Sequence, residues 1–216
     1  MKERLVWLAS LVAAFAVPAY SQGTFQNLDF EAAHDLPAPG NIVATSNALP
    51  GWSAFSGTNQ LSSILYYGDA GGALVSVGLE SSNAALAGNF SVVLGGGAIS
   101  QLGLIPTGTE SLLFEAVLSP YFGMSVSLGG CYLSCSAIYN GVNVYGQKYT
   151  AYAADISGLA GQTKSLAFAG TGFLDDIQFS SQPSPEPPAP SLIFVAGGIL
   201  VSLRVRRRRP ARAGSN

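Results

Sequence analysis

The middle of the chain is built of short alternations. Val75, Val77 and Leu79 fall on one side of a pleat; Phe90, Val92 and Leu94 do the same, and so do Met124, Val126 and Leu128. Tyr149, Ala151 and Ala153 repeat the pattern, and FLDDIQFSS puts Phe173, Asp175, Ile177 and Phe179 on one face. A repeat of two is the side-chain period of a β-strand. Glycine closes many of these runs, and the chain has 26 glycines. No window from 24 to 182 carries a helical stripe, and residues 84–87 offer a single helical turn at most. With 48% apolar and only 10% charged residues the chain has the means to fold. The expectation is an all-β sandwich or barrel.

An internal echo supports two analogous strands. Thr109 and Thr163 each open the frame Thr-x-Ser-Leu-x-Phe, which would aim Leu112 with Phe114, and Leu166 with Phe168, into a core. Gly95-Gly96-Gly97 has no Lys-Ser/Thr after it, so it reads as a turn and not as a phosphate loop.

The two ends read as addresses. Lys2 and Arg4 precede an apolar run, 5–17, and Ala19-Tyr20-Ser21 supplies small residues before a cleavage point after Ser21. Residues 1–21 are therefore expected to be a signal peptide. Residues 22–182 form the expected β-sandwich domain, and 183–191 a proline-rich linker. Residues 192–205 are an apolar segment, with no charge over 192–203, and 206–216 an arginine-rich tail. The apolar segment is shorter than the roughly 20 residues of a full span, but arginine side chains can snorkel and lengthen it. Positive charge stays on the cytoplasmic side, so the domain is expected outside and the tail inside.

Between these ends two lysines, Lys148 and Lys164, face ten acidic residues, a net of −8. Such a surface repels nucleic acid. No catalytic set emerges. His34 is the sole histidine, no Gly-x-Ser-x-Gly elbow exists, and Cys131, Cys135 and His34 form no zinc motif. Glu80, Glu110 and Glu115 are carboxylates that a glycosidase pair could use, with nothing in the sequence to place them together. Aromatic residues are the better lead. Trp52, Tyr66 and Tyr67 head the candidate ligand-binding set, followed by Phe55, Tyr121, Tyr132, Tyr139, Tyr145, Tyr149 and Tyr152. A tyrosine joins an apolar ring to a polar handle, which suits stacking on sugars. Trp52, after Pro50-Gly51, also reads as a core plug, and one of Tyr66 and Tyr67 is expected to be exposed.

Cys131 and Cys135 are the only cysteines, and export would carry both to an oxidising compartment. Four strand steps separate Cα atoms by about 13 Å, whereas a disulfide needs less than about 7 Å. A bridge is expected and requires a turn or bulge at Tyr132-Leu133-Ser134. The alternative is two reduced thiols beside the preceding strand.

Two resemblances add to these readings. Pro185-Glu186-Pro187, the apolar segment 192–203 and the cluster Arg204 to Arg209 together resemble the PEP-CTERM sorting signal of Gram-negative bacteria. That resemblance implies an exosortase-type processing enzyme as partner. It also implies an inner-membrane-anchored intermediate and a final place at the cell surface, outer envelope or extracellular matrix. Exopolysaccharide is a further implied partner. Pro188-Ala189-Pro190 and the seven residues after Arg209 depart from the family's usual pattern. In the middle, Asn27-Leu28-Asp29-Phe30-Glu31, then Leu49-Pro50-Gly51-Trp52, then Leu174-Asp175-Asp176-Ile177 resemble secreted galactose-binding-like β-sandwiches, a jelly-roll class rich in carbohydrate-binding modules. That resemblance implies a structural Ca2+ where first and last strands meet, held by Glu31 and Asp176 with Asp29 and Asp175 beside them. Calcium takes six to eight oxygens, so backbone carbonyls would complete it.

The expected function is that of an exported, non-catalytic surface or matrix protein with a glycan as its ligand. The alternatives are a surface glycan hydrolase or lyase, and an inert coat component. An aromatic-floored groove would favour binding. Two carboxylates about 5 to 9 Å apart across a cleft would favour hydrolysis, and a featureless surface the coat.

Overall fold

In the computed structural model, which describes residues 23–67, 76–81, 85–118 and 123–185, the alternating runs become strands. The expected signal peptide, the expected membrane segment, the arginine-rich tail, Glu186, Pro187 and Tyr121 lie outside the described residues. Twelve strands are formed among those described: β1 Ile42–Ala44, β2 Ser53–Ser56, β3 Asn59–Leu61, β4 Ser63–Tyr66, β5 Val77–Ser81 and β6 Phe90–Leu104 in the first part. The second part supplies β7 Ser111–Leu118, β8 Met124–Leu128, β9 Cys131–Tyr132, β10 Ser136–Val142, β11 Lys148–Asp155 and β12 Thr163–Ser180. Among the described residues the one α-helical turn, α1, is Thr45–Ala48; of the turn expected at 84–87, residues 85–87 are not helical and residue 84 lies outside the described residues. No helix among the described residues is long and apolar enough to cross a membrane. The fold is all-β.

Two strands organise everything. β6 has 15 residues and β12 has 18, against an ordinary five or six. They pair antiparallel along Thr163–Leu104 to Leu174–Val92. A strand this long bends, and its two halves join different neighbours. The C-terminal half of β6 and the N-terminal half of β12 lie in the order β3-β2-β6-β12-β8-β9. The other halves lie in the order β1-β4-β5-β6-β12-β7-β11-β10. All pairs are antiparallel except β4 with β5.

The bend falls on glycine. Gly97 and Gly170 are register partners, and the β12 register shifts between Gly170 and Thr171. A Cβ on Gly97 would run into the Ser76 carbonyl oxygen, and one on Gly170 into that of Gly123. The backbones at the bend approach too closely for any side chain. Gly95-Gly96-Gly97 is therefore the interior bend of one strand, where the sequence suggested a turn between two.

The halves close on each other through rings. Phe168 of β12 meets Phe114 of β7 edge to face at 5.3 Å, and Trp52 packs on Phe168 at 6.5 Å and on Phe30 at 5.7 Å. Leu112, Phe114, Leu166 and Phe168, the four residues of the internal echo, all lie in this core. The echo therefore marks one strand from each half, meeting ring to ring. Each such side chain contributes about 1.5–3 kcal/mol by burial.

The N-terminal arm seals one flank. Gln101 holds it with its whole amide: Oε1 accepts from Gln26 N at 2.6 Å, and Nε2 donates to the carbonyls of Gln26 and Gly51 at 3.0 and 2.9 Å. Trp52 Nε1 donates to Asn27 O at 2.9 Å.

The last strand departs from its simple alternation. Asp176 has φ +45°, and the pairing with β7 skips from Asp175–Glu115 to Gln178–Leu113. This bulge inserts one residue. Leu174 and Ile177 both reach the core, while Phe173 and Asp175 face the other side. A strict period of two could not show it.

Candidate functional site

The residues named from sequence as ligand-binding are in the interior. Trp52 is 5% exposed, and Tyr66 and Tyr67 are both buried. Tyr66 OH donates to Ser81 Oγ at 3.1 Å. Tyr67 follows the end of β4, its N–H donating to Leu79 O at 2.8 Å, and the expected exposure of one ring is not found. Its ring lies over Gly78, where a Cβ would have no room.

The acidic residues named for calcium have other occupations. Glu31 Oε1 accepts from the backbone N–H groups of Asn89 (2.7 Å) and Phe90 (2.9 Å), and Oε2 accepts from Asn89 Nδ2 at 2.8 Å. Asp175, 0% exposed, accepts from Ala87 N at 2.9 Å and Ser91 Oγ through Oδ2, and from Asp176 N at 2.8 Å through Oδ1. Both carboxylates fasten the 86–91 loop to the sandwich. Asp29 Oδ1 accepts from Glu31 N, and Asp176 Oδ2 accepts from Gln178 Nε2 at 2.7 Å. The backbone of Ile177 donates to Leu28 O at 3.0 Å, so the arm and the last strand do meet. Among the described residues no group of three or more His, Cys, Asp or Glu converges on one point. His34 is exposed, with Nδ1 3.2 Å from Ala32 O.

The cysteine bridge is not formed; both thiols are free. Gly129 and Gly130, with φ +63° and +82°, turn β8 into β9, where Cys131 pairs with Leu128 and Tyr132 with Ser127. Leu133 N then donates to Val126 O at 2.9 Å. The ladder therefore continues through the residues that would have to turn for a bridge. Cys131 is left exposed, while Cys135 is half-buried against the core. Burial pushes the Cys135 thiol up to about 11.

Cys135 opens the region that sequence reasoning undervalued. On β7 the side chains of Leu112, Phe114 and Ala116 face the core, and alternation puts Leu118 on the same side. Across the ladder Tyr152 pairs with Phe114 and Thr150 with Ala116. The Phe114 and Tyr152 rings stack at 5.4 Å and 17°. Opposite them stands β8, which ends in the short hairpin to β9. Between lies a hollow of ≈ 400 Å³ lined by Phe114, Leu118, Met124, Ser125, Val126, Tyr132, Leu133, Cys135 and Tyr152. Tyr132 at its rim is 81% exposed.

A second hollow adjoins it. Beyond the Thr150–Ala116 pair, the β10–β11 hairpin parts from β7, which goes on pairing with β12. The fork so made encloses ≈ 510 Å³ lined by Ala116, Val117, Leu118, Asn140, Gly141, Val142, Lys148, Tyr149, Thr150 and Tyr152. Leu118 and Tyr152 belong to both hollows, so the two adjoin along these side chains and together make the candidate groove. Its first stretch is apolar and aromatic. Its second is polar: Thr150 Oγ1 donates to Asn140 Oδ1 at 2.8 Å, a bond that does not use the Asn140 amide N–H groups. Among the described residues no carboxylate lines either hollow.

The carboxylate nearest in sequence, Glu115, alternates onto the opposite face. It is 8% exposed and accepts from Tyr139 OH at 3.3 Å. Burial raises its pKa; a hydrogen bond from Tyr149 opposes this, and the charge of Asp176 adds to it. Burial, and then the Glu115 charge, push Tyr149 up to about 12 and raise Tyr139 too. The Tyr139 and Tyr149 rings meet edge to face at 6.4 Å. These bonds tie the β10–β11 hairpin to β7, and Tyr149 also lines the second hollow.

The groove residues carry no sequence motif. Their signal was the density of tyrosines from Tyr132 to Tyr152 in a stretch with a single charge, Lys148, before Asp155. No known protein family, curated protein or solved structure matches this chain.

Proposed function

We propose that this is an exported, non-catalytic carbohydrate-binding protein of the cell surface or matrix, whose ligand lies in the groove between β8–β9 and the β7–β11–β10 fork. One observation carries the reading: rings and hydrogen-bonding groups occur along a single open groove. Tyr132, Tyr152 and Phe114 supply apolar faces, and Asn140, Thr150 and Lys148 supply polar contacts beyond them. Sugars present both kinds of surface. A hydrolase would need two carboxylates facing one cleft. Among the described residues none lines this groove, and Glu115 is bonded to Tyr139 and Tyr149.

The position of the chain's exit supports the same reading. Ser111 Oγ donates to Gln182 O at 2.8 Å, and Glu110 N donates to Ser180 O at 2.8 Å. The proline-rich linker thus leaves beside the start of β7, whereas the groove lies at its end, Leu118. Seven strand steps put these about 23 Å apart. A domain held by a PEP-CTERM-like tail would present its groove away from the attachment. The galactose-binding-like jelly roll belongs to this proposal as well, with the Leu28–Ile177 contact as its support.

The test is affinity electrophoresis and calorimetry on a panel of soluble polysaccharides. Retardation of the wild type by at least one polysaccharide, lost in Tyr152→Ala and Tyr132→Ala with melting temperature retained in the latter, is the expected result. Retardation that both variants keep would place the binding site elsewhere.

A further inference from the structure

The groove's two ends differ in charge. The described residues hold nine carboxylates and two lysines, yet no carboxylate lines the groove, and one of those lysines, Lys148, does. Lys148 begins β11 at the mouth of the fork and is exposed. It has no ion-pair partner among the described residues. Asn140 and Thr150 stand on the same groove wall, joined by their own hydrogen bond.

A neutral sugar chain laid along this wall would cover an unpaired ammonium. Removing a charge from water without a counter-charge costs free energy, and an anionic partner offsets it. The domain's remaining carboxylates act at longer range and are screened over about 10 Å at 0.1 M salt. The contact itself is therefore decided by Lys148.

From this we infer that the ligand is an acidic polysaccharide, a chain of sugars bearing carboxylate groups, with one carboxylate placed on the Lys148 ammonium while neighbouring rings cover Tyr152 and Tyr132. This rests on the glycan reading of the groove and adds the class of glycan. Ring stacking supplies contact that any sugar chain can use, and Lys148 supplies the discrimination.

The experiment compares polygalacturonate and alginate oligomers with the same oligomers methyl-esterified, so that ring shape is kept and charge removed. Dextran and a β-glucan serve as neutral chains. Binding to the full chain in mild detergent is measured by calorimetry at 50 and 300 mM salt. The acidic oligomers are expected to bind about tenfold tighter than their esters at low salt. That ratio should shrink at high salt and fall to about one in Lys148→Gln. Lys148→Arg should restore it. Equal affinity for acid and ester, or a ratio unchanged in Lys148→Gln, overturns the inference. If that binding is still lost in Tyr152→Ala, the groove reading stands without it. Binding of none of these chains removes both.

Discussion

Asp175 makes the stability of this domain depend on pH in an unusual direction. Its carboxyl is 0% exposed, and burial pushes its pKa from 3.8 up to about 7. The hydrogen bonds from Ser91, Ala87 and Asp176 hold it back, and the charge of Asp176 adds a further push. Between those two pH values the unfolded chain has released the proton that the folded chain keeps. Stability from this group is thus complete below about pH 4 and is lost as pH rises to about 7. At about 1.4 kcal/mol per pH unit, the gap amounts to on the order of 4 kcal/mol. Urea unfolding at pH 4, 5, 6, 7 and 8 should be run on the wild type and on Asp175→Asn. The amide nearly matches the carboxyl in shape and cannot titrate. The wild-type minus variant difference should fall by a few kcal/mol from pH 4 to pH 7 and then level. Glu115, also raised by burial, remains in both proteins and cancels. A difference flat across this range, or one that grows with pH, would refute the reasoning.

Other consequences follow from particular contacts. Glu31→Ala removes the acceptor for three N–H donors and should cost about 1–3 kcal/mol, with faster hydrogen exchange confined to 86–91. Calcium at Glu31 and Asp176, as the sequence resemblance implies, would raise the melting temperature of the chelated protein when the ion is added; an unchanged value, with no shift in Asp176→Ala either, removes the ion from this corner. Trp52→Ala should cost about 3–5 kcal/mol as a core truncation; a variant with wild-type stability would place the indole outside the core. Native protein treated with maleimide at pH 7.5 should label Cys131 quickly and Cys135 slowly, since Cys135 is half-buried with its thiol raised to about 11. A mass 2 Da low, with neither thiol labelled, would mean a bridge.

The strand class was legible because alternation and glycine are local signals. The core pairs were legible too: the Leu-x-Phe frames at Leu112 and Leu166 predicted inward residues, and all four are in the core. What was not legible was long-range. Gly95-Gly96-Gly97 has the composition of a turn, and only pairing with β12 makes it a bend within a strand. The Asp176 bulge reassigns Leu174 and Phe173 through one left-handed residue, which an Asp-Asp pair does not announce. Trp52, Tyr66 and Tyr67 looked like a ligand surface by type, but burial depends on what folds over them. The groove depends on where β11 parts from β7, and that lies in no single segment. Its tyrosines could be named as candidates; their selection over Trp52 needed the third dimension.

The most direct test of the account is a hydrogen-exchange footprint of the full chain with and without a saturating acidic oligosaccharide. The account predicts added protection in 114–118, 124–133 and 140–152, with the 86–91 loop and the N-terminal arm unchanged. Protection centred on the 86–91 loop, or no change at saturating ligand, would contradict it.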